Sequence, residues 1–228
     1  MRLDKMLVSC GTGSRKDIKN LVRQGAVTVN GVIAKKSDIH IDENADTVCV
    51  NGQKVTYKEF VYLMLNKPAG YVSATEDFKY PTVIDLVPEK YSHYDLFPVG
   101  RLDIDTEGLL ILTNDGAYCH NMLSPKKHVY KTYFARLDDF PTEDDVKKFA
   151  EGITIEGGYT CREAELILNE GDNSAYVKIC EGKFHQVKLM FKAVGKTVTY
   201  LKRVKFGEFT LPEDLPLGKV IEVEPTVK

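Results

Sequence analysis

The chain has 228 residues, 43% of them hydrophobic and 28% charged, and its formal net charge at pH 7 is −2. This length allows one large domain or two small ones, and no apolar run approaches the roughly 18 residues of a membrane-spanning helix. The five cysteines are far apart and form no Cys-x-x-Cys pair, so the sequence predicts neither a disulfide framework nor a zinc site. Because no secretory leader is evident, we expect a soluble, cytoplasmic protein with reduced thiols.

Charge is distributed unevenly along the chain. Residues 1–60 contain ten Lys and Arg against seven Asp and Glu, a formal charge of +3, whereas the remaining residues contain 21 against 26, a formal charge of −5. A basic segment attached to a mildly acidic one is typical of a phosphate-binding arm on an enzyme.

Two short helices are predicted near the N-terminus. The first covers residues 2–9, where Leu3, Met6 and Leu7 recur at helical spacing, and two glycines then end it. Ser14 is a typical N-cap residue for the second helix, with an acid three positions later. The basic residues of the second helix lie off its apolar stripe and form an exposed face: Arg15, Lys16, Lys19 and Arg23.

An Asn-Gly pair lies between Val27–Val29 and Val32–Ile33, which is the strongest short signal of a β-hairpin. A basic helix pair followed by Val-x-Val-Asn-Gly resembles the S4 RNA-binding domain over about residues 1–55. The resemblance implies that Arg2 and the four basic residues of the second helix contact the backbone of structured RNA. We set this domain at residues 1–58 and a second domain at residues 59–228. The alternative is a small appendage with a solvated basic face.

The most informative run of the second domain is residues 100–116. Its apolar stretch Leu109–Leu112 is short and lies between turn signals, which predicts a buried strand. An arginine and three acids precede that strand: Arg101, Asp103, Asp105 and Glu107. Acids at the mouth of a buried strand are candidates for chemistry. Residues two apart on an extended chain share a face, so Asp103 and Asp105 are also a candidate carboxylate pair of the kind that glycosidases use.

Two further strands flank this run. Val61–Leu65 is apolar and precedes a turn at residues 67–70, Lys-Pro-Ala-Gly, in which we assign no role to Lys67. His128–Ala135 alternates β-branched and aromatic residues, which indicates a strand that carries Tyr133.

Two further helices are predicted in the second domain. One covers residues 143–151, with Thr142 as its N-cap and Gly152 as its end. The other covers residues 187–194, where apolar residues recur at helical spacing and Lys188 lies one step off the apolar face. A lysine at such a position is ordinarily solvated.

Four motifs follow the S4-like segment in a fixed order: Lys-Pro-x-Gly, Gly-Arg-Leu-Asp-x-x-Thr-x-Gly-Leu, Lys-x-Tyr and Gln-Val-Lys. This series resembles the RsuA family of pseudouridine synthases. The resemblance implies that Asp103 is the essential residue and that Tyr133 contacts the target base. It implies that Lys188 pairs with Asp103 and keeps it ionised in a partly dry cleft, and that Arg101 helps to flip the base or holds a phosphate.

The resemblance also implies a fold and a reaction. The fold is α+β, a small S4 domain followed by a catalytic domain with a mixed, largely antiparallel sheet and flanking helices. The reaction converts one uridine of ribosomal RNA to pseudouridine, without metal, nucleotide or redox cofactor. We expect a monomer that acts on 16S rRNA of the small subunit, or on its assembly intermediate, and that does not associate with a membrane.

Three alternatives remain open from the sequence. The first is an enzyme of the same family that modifies 23S rRNA. The second is a non-catalytic, S4-bearing ribosome-assembly factor whose second domain serves only for docking. The third is a glycoside or nucleoside hydrolase that uses Asp103 with Asp105 or Glu107.

Overall fold

The computed structural model of the chain describes residues 1–226. These residues form two compact units, residues 1–61 with 88–95, and residues 62–87 with those from 96 onward. Each unit contains its own β-sheet and its own helices, so the predicted α+β class is confirmed. The domain boundary at residues 58 and 59 stays a prediction, and residues 88–95 belong to the first unit although they follow that boundary in sequence.

The first unit packs two helices against a small sheet. The helices are α1 (Leu3–Ser9) and α2 (Arg15–Arg23). The strands are β1 (Val27–Val29), β2 (Val32–Ile33), β3 (Val48–Val50) and β4 (Gln53–Val55), all antiparallel in the order β2-β1-β3-β4. Apolar side chains from both helices and the sheet form the core: Leu3, Met6, Leu7, Ile18, Val22, Val27, Ala34, Ile41 and Val48.

Helix α2 starts where the sequence predicts. The Ser14 hydroxyl accepts a hydrogen bond from the Asp17 backbone N–H at 3.3 Å, and the Asp17 carboxylate accepts one from the Ser14 N–H at 3.0 Å. This reciprocal capping box satisfies two N–H groups that the first turn leaves without a helical partner. Gly25 follows the end of the helix with φ of +74°, a conformation that favours glycine. The predicted hairpin of β1 and β2 is also present.

The second unit is built on a nine-stranded sheet. Its strands are β5 (Tyr62–Lys67), β6 (Phe97–Pro98), β7 (Glu107–Thr113), β8 (Lys131–Leu137), β9 (Glu165–Leu168), β10 (Ser174–Ile179), β11 (Val198–Phe206), β12 (Phe209–Thr210) and β13 (Val220–Glu222). The main order is β13-β5-β7-β11-β8-β10-β9, with β6 beside β7 and β12 beside β11. Among the described strands only β7 and β11 pair in parallel. The predicted mixed, largely antiparallel sheet is therefore confirmed.

Three helices accompany this sheet: α3 (Gly116–Leu123), α4 (Glu143–Glu151) and α5 (Gln186–Ala193). Helix α4 begins with a capping box between Thr142 and Asp145 and ends at Gly152, as predicted. Helices α4 and α5 contact each other through the rings of Phe149 and Phe191, whose centroids are 5.0 Å apart. Both rings are fully buried, so α5 packs through the apolar face that the sequence periodicity indicates, and α4 packs against it.

One strand prediction is wrong at its start. The expected strand over residues 128–135 begins only at Lys131 and continues to Leu137. Residues 125–127 form a 3-10 turn, and His128 adopts a left-handed conformation with φ of +49°. A residue in that conformation reverses the chain direction and cannot continue an extended strand. Alternating side chains alone did not reveal this local reversal.

Gly108 allows the two central strands, β7 and β11, to lie close together. It has φ of +101°, and a side chain at this position would collide with the backbone of Arg203 on β11. The glycine therefore permits the close parallel pairing of β7 and β11 in the middle of the sheet. The loop that carries Asp103 lies immediately before this pair, so a tightly packed region positions it.

Candidate active site

A cleft of about 1040 Å³ lies in the second unit, and all four residues that the sequence assigns to the reaction centre line it. Arg101 and Asp103 come from the loop before β7, Tyr133 from β8 and Lys188 from the first turn of α5. Three segments that are distant in sequence therefore supply one cavity. Its size is that of a site for a small molecule or for a single extruded nucleotide.

Lys188 bridges the two aspartates of the loop. Its Nζ lies 3.0 Å from Asp103 Oδ2 and 2.6 Å from Asp105 Oδ1. The Asp103 side chain is 27% exposed and that of Asp105 is 68% exposed, so Asp103 is the carboxylate more enclosed by the cleft. The contact with Asp103 is the one that the family resemblance implies. The shorter contact with Asp105 was not predicted.

Electrostatics favour the charged forms of Asp105 and Lys188. Burial of Asp105 on its own would raise the pKa of the carboxyl, but the hydrogen bond from Lys188 and its positive charge keep that pKa below the usual value. Burial would likewise lower the pKa of the Lys188 ammonium, but its hydrogen bonds to Asp105 and Asp103 raise that pKa. The positive charge of Lys188 therefore offsets the burial of the Asp105 carboxylate.

An aromatic pair borders the acids. The His185 ring stacks on Phe184 with centroids 3.7 Å apart and an angle of 18° between the planes. His185 Nε2 lies 3.6 Å from Asp103 Oδ1, and Phe184 is 79% exposed. His185 also has φ of +50°, which is uncommon for a residue other than glycine and is often found at functional sites. These rings give the cleft an exposed stacking surface beside Asp103.

The loop that holds Asp103 is fixed by the segment at the end of β5. The fully buried Lys67 directs its Nζ at four backbone carbonyls, those of Pro68 (3.0 Å), Asp103 (3.1 Å), Ile104 (3.3 Å) and Thr106 (2.9 Å). Burial lowers the pKa of this ammonium to about 8. Lys67, which the sequence left unassigned, is therefore a positioning residue for the loop.

Two other residues of the same segment support the loop. The Gly70 N–H donates to Ile104 O at 2.7 Å. The Ser73 hydroxyl donates to Leu102 O and accepts from the Leu102 N–H, each at 3.0 Å. The Lys-Pro-x-Gly motif thus has a structural use, because it and the residues after it hold the backbone on both sides of Asp103.

Replacing Lys67 with Met is expected to destabilise the protein and to lower its activity. Methionine fills a similar volume but leaves several buried carbonyls without a donor, which costs about 3 kcal/mol. Urea unfolding, followed by tyrosine fluorescence, measures the change in the free energy of unfolding. Lys147→Met on α4, where the lysine is exposed, is the matched control. A Lys67→Met protein as stable and as active as the control would contradict the positioning role.

Tyr133 and Glu107 have different surroundings. Tyr133 is 8% exposed and lies opposite Arg203 in the pairing of β8 with β11. Glu107, in contrast, does not line the cleft; its carboxylate accepts a hydrogen bond from the Tyr200 hydroxyl at 2.7 Å. Of the three acids in the motif, only Asp103 and Asp105 therefore face the cavity.

The candidate RNA-contacting residues of the first unit are exposed on its surface. Arg15, Lys16, Lys19 and Arg23 are exposed along α2, as expected for the basic face. Arg2 is held differently, because its guanidinium donates two hydrogen bonds to Asp4, at 3.0 and 2.7 Å. The RNA contacts of these residues stay predictions.

Comparison with protein families identifies both parts of the chain. Residues 61–193 match the family model described as RNA pseudouridylate synthase, and residues 1–47 match the S4 domain. The chain belongs to the RNA pseudouridylate synthase family. It is therefore a pseudouridine synthase with an N-terminal S4 domain, in agreement with the resemblance seen in its motifs.

Full-length relatives agree with this assignment. The chain is 47% identical to "Uncharacterized RNA pseudouridine synthase YtzG" of Bacillus subtilis (strain 168), covering 98% of this chain and 95% of that protein. It is 38% identical to "Ribosomal small subunit pseudouridine synthase A" of Vibrio parahaemolyticus, covering 96% and 94%. It is 34% identical to "Ribosomal large subunit pseudouridine synthase B" of Bacillus subtilis (strain 168), covering 98% and 92%.

A solved structure shares the fold of this synthase. The structure titled "Crystal structure of pseudouridylate synthase" superposes with a TM-score of 0.68 at 35% identity, covering 98% of this chain and 96% of that one.

Among residues 1–226, no helix is both long and apolar enough to cross a membrane. Within the same residues, no group of three or more His, Cys, Asp or Glu side chains is arranged to hold a metal ion.

Proposed function

We propose that this synthase isomerises one uridine of 16S ribosomal RNA, with Asp103 as the acting carboxylate and without a cofactor. The observation that carries the proposal is the enclosure of Asp103 beside Lys188 in a cleft that Arg101 and Tyr133 also line. The reaction breaks the N1–C1′ bond of uridine and forms a C5–C1′ bond, while the hydrogen leaves C5 and N1 gains a proton. Because no net oxidation or hydrolysis occurs, acid–base and nucleophilic groups suffice.

The charge of the cleft supports a nucleic-acid substrate. Six basic side chains line it, Arg101, Lys131, Arg162, Lys183, Lys188 and Arg203, against three acidic ones, Asp103, Asp105 and Glu181. Lys188 is committed to the two aspartates, and Arg162 lies 3.7 Å from Glu181. The remaining positive charge favours a polyanion, although the formal charge of the whole chain is negative.

Each site residue has a role that its surroundings support. Asp103 acts on C1′, C2′ or the pyrimidine ring of the extruded uridine, as nucleophile or as base. Lys188 orients that carboxylate and places a positive charge beside it. Tyr133 packs on the uracil ring, and the exposed Arg101 takes the place of the extruded base or holds a phosphate.

The S4 domain is proposed to hold the RNA backbone through α2. Replacing Arg15, Lys16, Lys19 and Arg23 together with Gln in the full chain is expected to weaken RNA binding. The slope of log affinity against log salt concentration should become less steep by roughly 0.7 to 0.9 for each phosphate that these side chains no longer neutralise. Lys147→Gln with Lys148→Gln on α4 is the control, and filter binding across a salt series is the measurement. An unchanged slope in the α2 variant would remove this helix from the RNA interface.

Sequence likeness supports the proposed choice of 16S over 23S rRNA. The small-subunit relative is 38% identical and the large-subunit relative 34% identical. Purified protein is incubated with unmodified 16S and 23S transcripts and with their assembly intermediates, and pseudouridine is mapped by chemical adducts and primer extension. One new site in 16S is the expected result. A site in 23S alone would overturn the target, and RNA binding without any isomerisation would instead support an assembly factor. Cytoplasmic location and a monomeric state stay predictions.

A further inference from the structure

Two buried cations line the cleft apart from the Asp103 cluster. Lys131 is 8% exposed and Arg203 is 1% exposed, and both contribute to the cavity wall. They lie on the neighbouring strands β8 and β11, where Lys131 is opposite Phe206 and Arg203 is opposite Tyr133. The Phe206 ring centroid is 5.3 Å from Lys131 Nζ and 4.7 Å from Arg203 Cζ. The two cations therefore share one aromatic neighbour.

Neither cation has a compensating negative charge. Arg203 Nε donates to Leu109 O at 2.8 Å, but its buried Nη2 has no hydrogen-bond partner. Lys131 Nζ donates to Val129 O at 3.2 Å. Among the ion pairs of residues 1–226, none includes either side chain. Buried charges without a counter-charge are unfavourable, so this arrangement indicates a site whose anion arrives with a ligand.

We propose that Lys131 and Arg203 form a subsite for one phosphate of the RNA, next to the base that Tyr133 receives. The inference rests on the proposed function, because it deepens the description of how that same cleft binds RNA. A phosphate is favoured over a neutral carbonyl, since two neighbouring basic side chains match an anion and a guanidinium offers it directional donors. The position opposite Tyr133 puts the phosphate beside the extruded nucleotide rather than on the outer surface.

Phosphate binding at this subsite is expected to be accompanied by the uptake of a proton. Burial, and after it the charge of Arg203, lower the pKa of Lys131 to about 8. The other groups that face Lys131 are the Cys180 thiol and the Phe206 ring. A bound phosphate would raise the Lys131 pKa, so affinity should fall as pH rises above about 8. Lys131→Arg should keep the affinity and remove this pH dependence, because arginine does not titrate in that range.

The test measures binding of small probes to the full chain by two-dimensional NMR. The probes are uridine, uridine 3′-monophosphate, uridine 5′-monophosphate and inorganic phosphate, and the Arg203 Nε–H signal is the local reporter. The two monophosphates distinguish the 3′ from the 5′ phosphate of the target nucleotide. One of them should bind about tenfold more tightly than uridine, and this preference should disappear in Lys131→Met. Lys205→Met, an exposed lysine on the same strand as Arg203, is the control and should keep it.

Three results would overturn the subsite. These are equal affinity for uridine and both monophosphates, a phosphate preference that survives in Lys131→Met, or an Arg203 signal that no phosphate probe moves. If Lys131→Met does not fold, the wild-type titration with the four probes and the pH series of Lys131→Arg still test the subsite. Isomerisation of rRNA is assayed on the same preparations. Phosphate binding without rRNA turnover would overturn the proposed function but leave the subsite intact. Turnover without a preference for the monophosphates would overturn the subsite but leave the proposed function intact.

Discussion

Replacing Asp103 with Asn is expected to abolish isomerisation and to leave RNA affinity nearly unchanged. Asparagine has the same size and keeps a hydrogen bond acceptor for Lys188, but it can neither attack carbon nor accept a proton. We expect the single-turnover rate to fall by about 10³-fold or more, which corresponds to roughly 4 kcal/mol of additional barrier. Filter binding of the same RNA measures affinity, and quenched-flow analysis measures the rate.

Asp105→Asn is the matched control for this prediction. Asp105 contacts the same lysine at 2.6 Å, but its side chain is 68% exposed and more open to solvent than that of Asp103. We expect its loss to slow the reaction by less than about tenfold, or roughly 1.4 kcal/mol. If Asp103→Asn retained activity within that range while Asp105→Asn lost it, the acting carboxylate would be Asp105. The tight Lys188–Asp105 contact makes this a necessary comparison.

Lys188→Met is the change with the second-largest expected effect. Removing the shared cation leaves two neighbouring carboxylates without compensation, and we expect the chemical step to slow by roughly 10²-fold. In the wild-type protein Lys188 holds the pKa of Asp105 low, so this pKa should rise in the variant. Since like charges resist joint ionisation, the remaining activity should decline further as pH is lowered. Single-turnover rates at saturating RNA across a pH series measure both effects.

Lys192→Met on the same helix is the control for Lys188→Met. Lys192 Nζ lies 2.6 Å from Glu156 Oε2, and both side chains are mostly exposed. Its removal should leave the rate unchanged, because exposed ion pairs contribute little. Lys188→Arg should keep most of the activity, since a guanidinium can bridge the same two carboxylates. Equal rates for the two methionine variants would show that the positive charge of Lys188 does not contribute to the chemical step.

Local patterns predicted four of the five α-helices among the described residues, and the helix starts that capping determines; α3 (Gly116–Leu123) was not predicted. Ser14 with Asp17 and Thr142 with Asp145 are short-range signals, because both partners lie within one helical turn. The buried strand after the acidic loop was also predictable, since its run of apolar residues is unbroken from position 109 to position 112. These features depend on neighbours in sequence and need no tertiary information.

The unpredicted parts of the site depend on contacts between distant segments. Lys67 reaches carbonyls 36 to 39 positions later in the chain. Arg203 lies opposite Tyr133 only because β8 and β11 pair, and β11 is separated from β8 by two strands and two helices in sequence. Pairing of this kind leaves no local pattern.

Release of the C5 hydrogen tests most directly the claim that the Asp103 cleft isomerises uridine in ribosomal RNA. The substrate is 16S transcript labelled with tritium at C5 of its uridines. We expect one equivalent of tritium to appear in water per RNA, with no free uracil, and no tritium release by Asp103→Asn. Absence of release by the wild-type protein on every rRNA transcript and assembly intermediate, or release of free uracil in place of tritiated water, would contradict the claim.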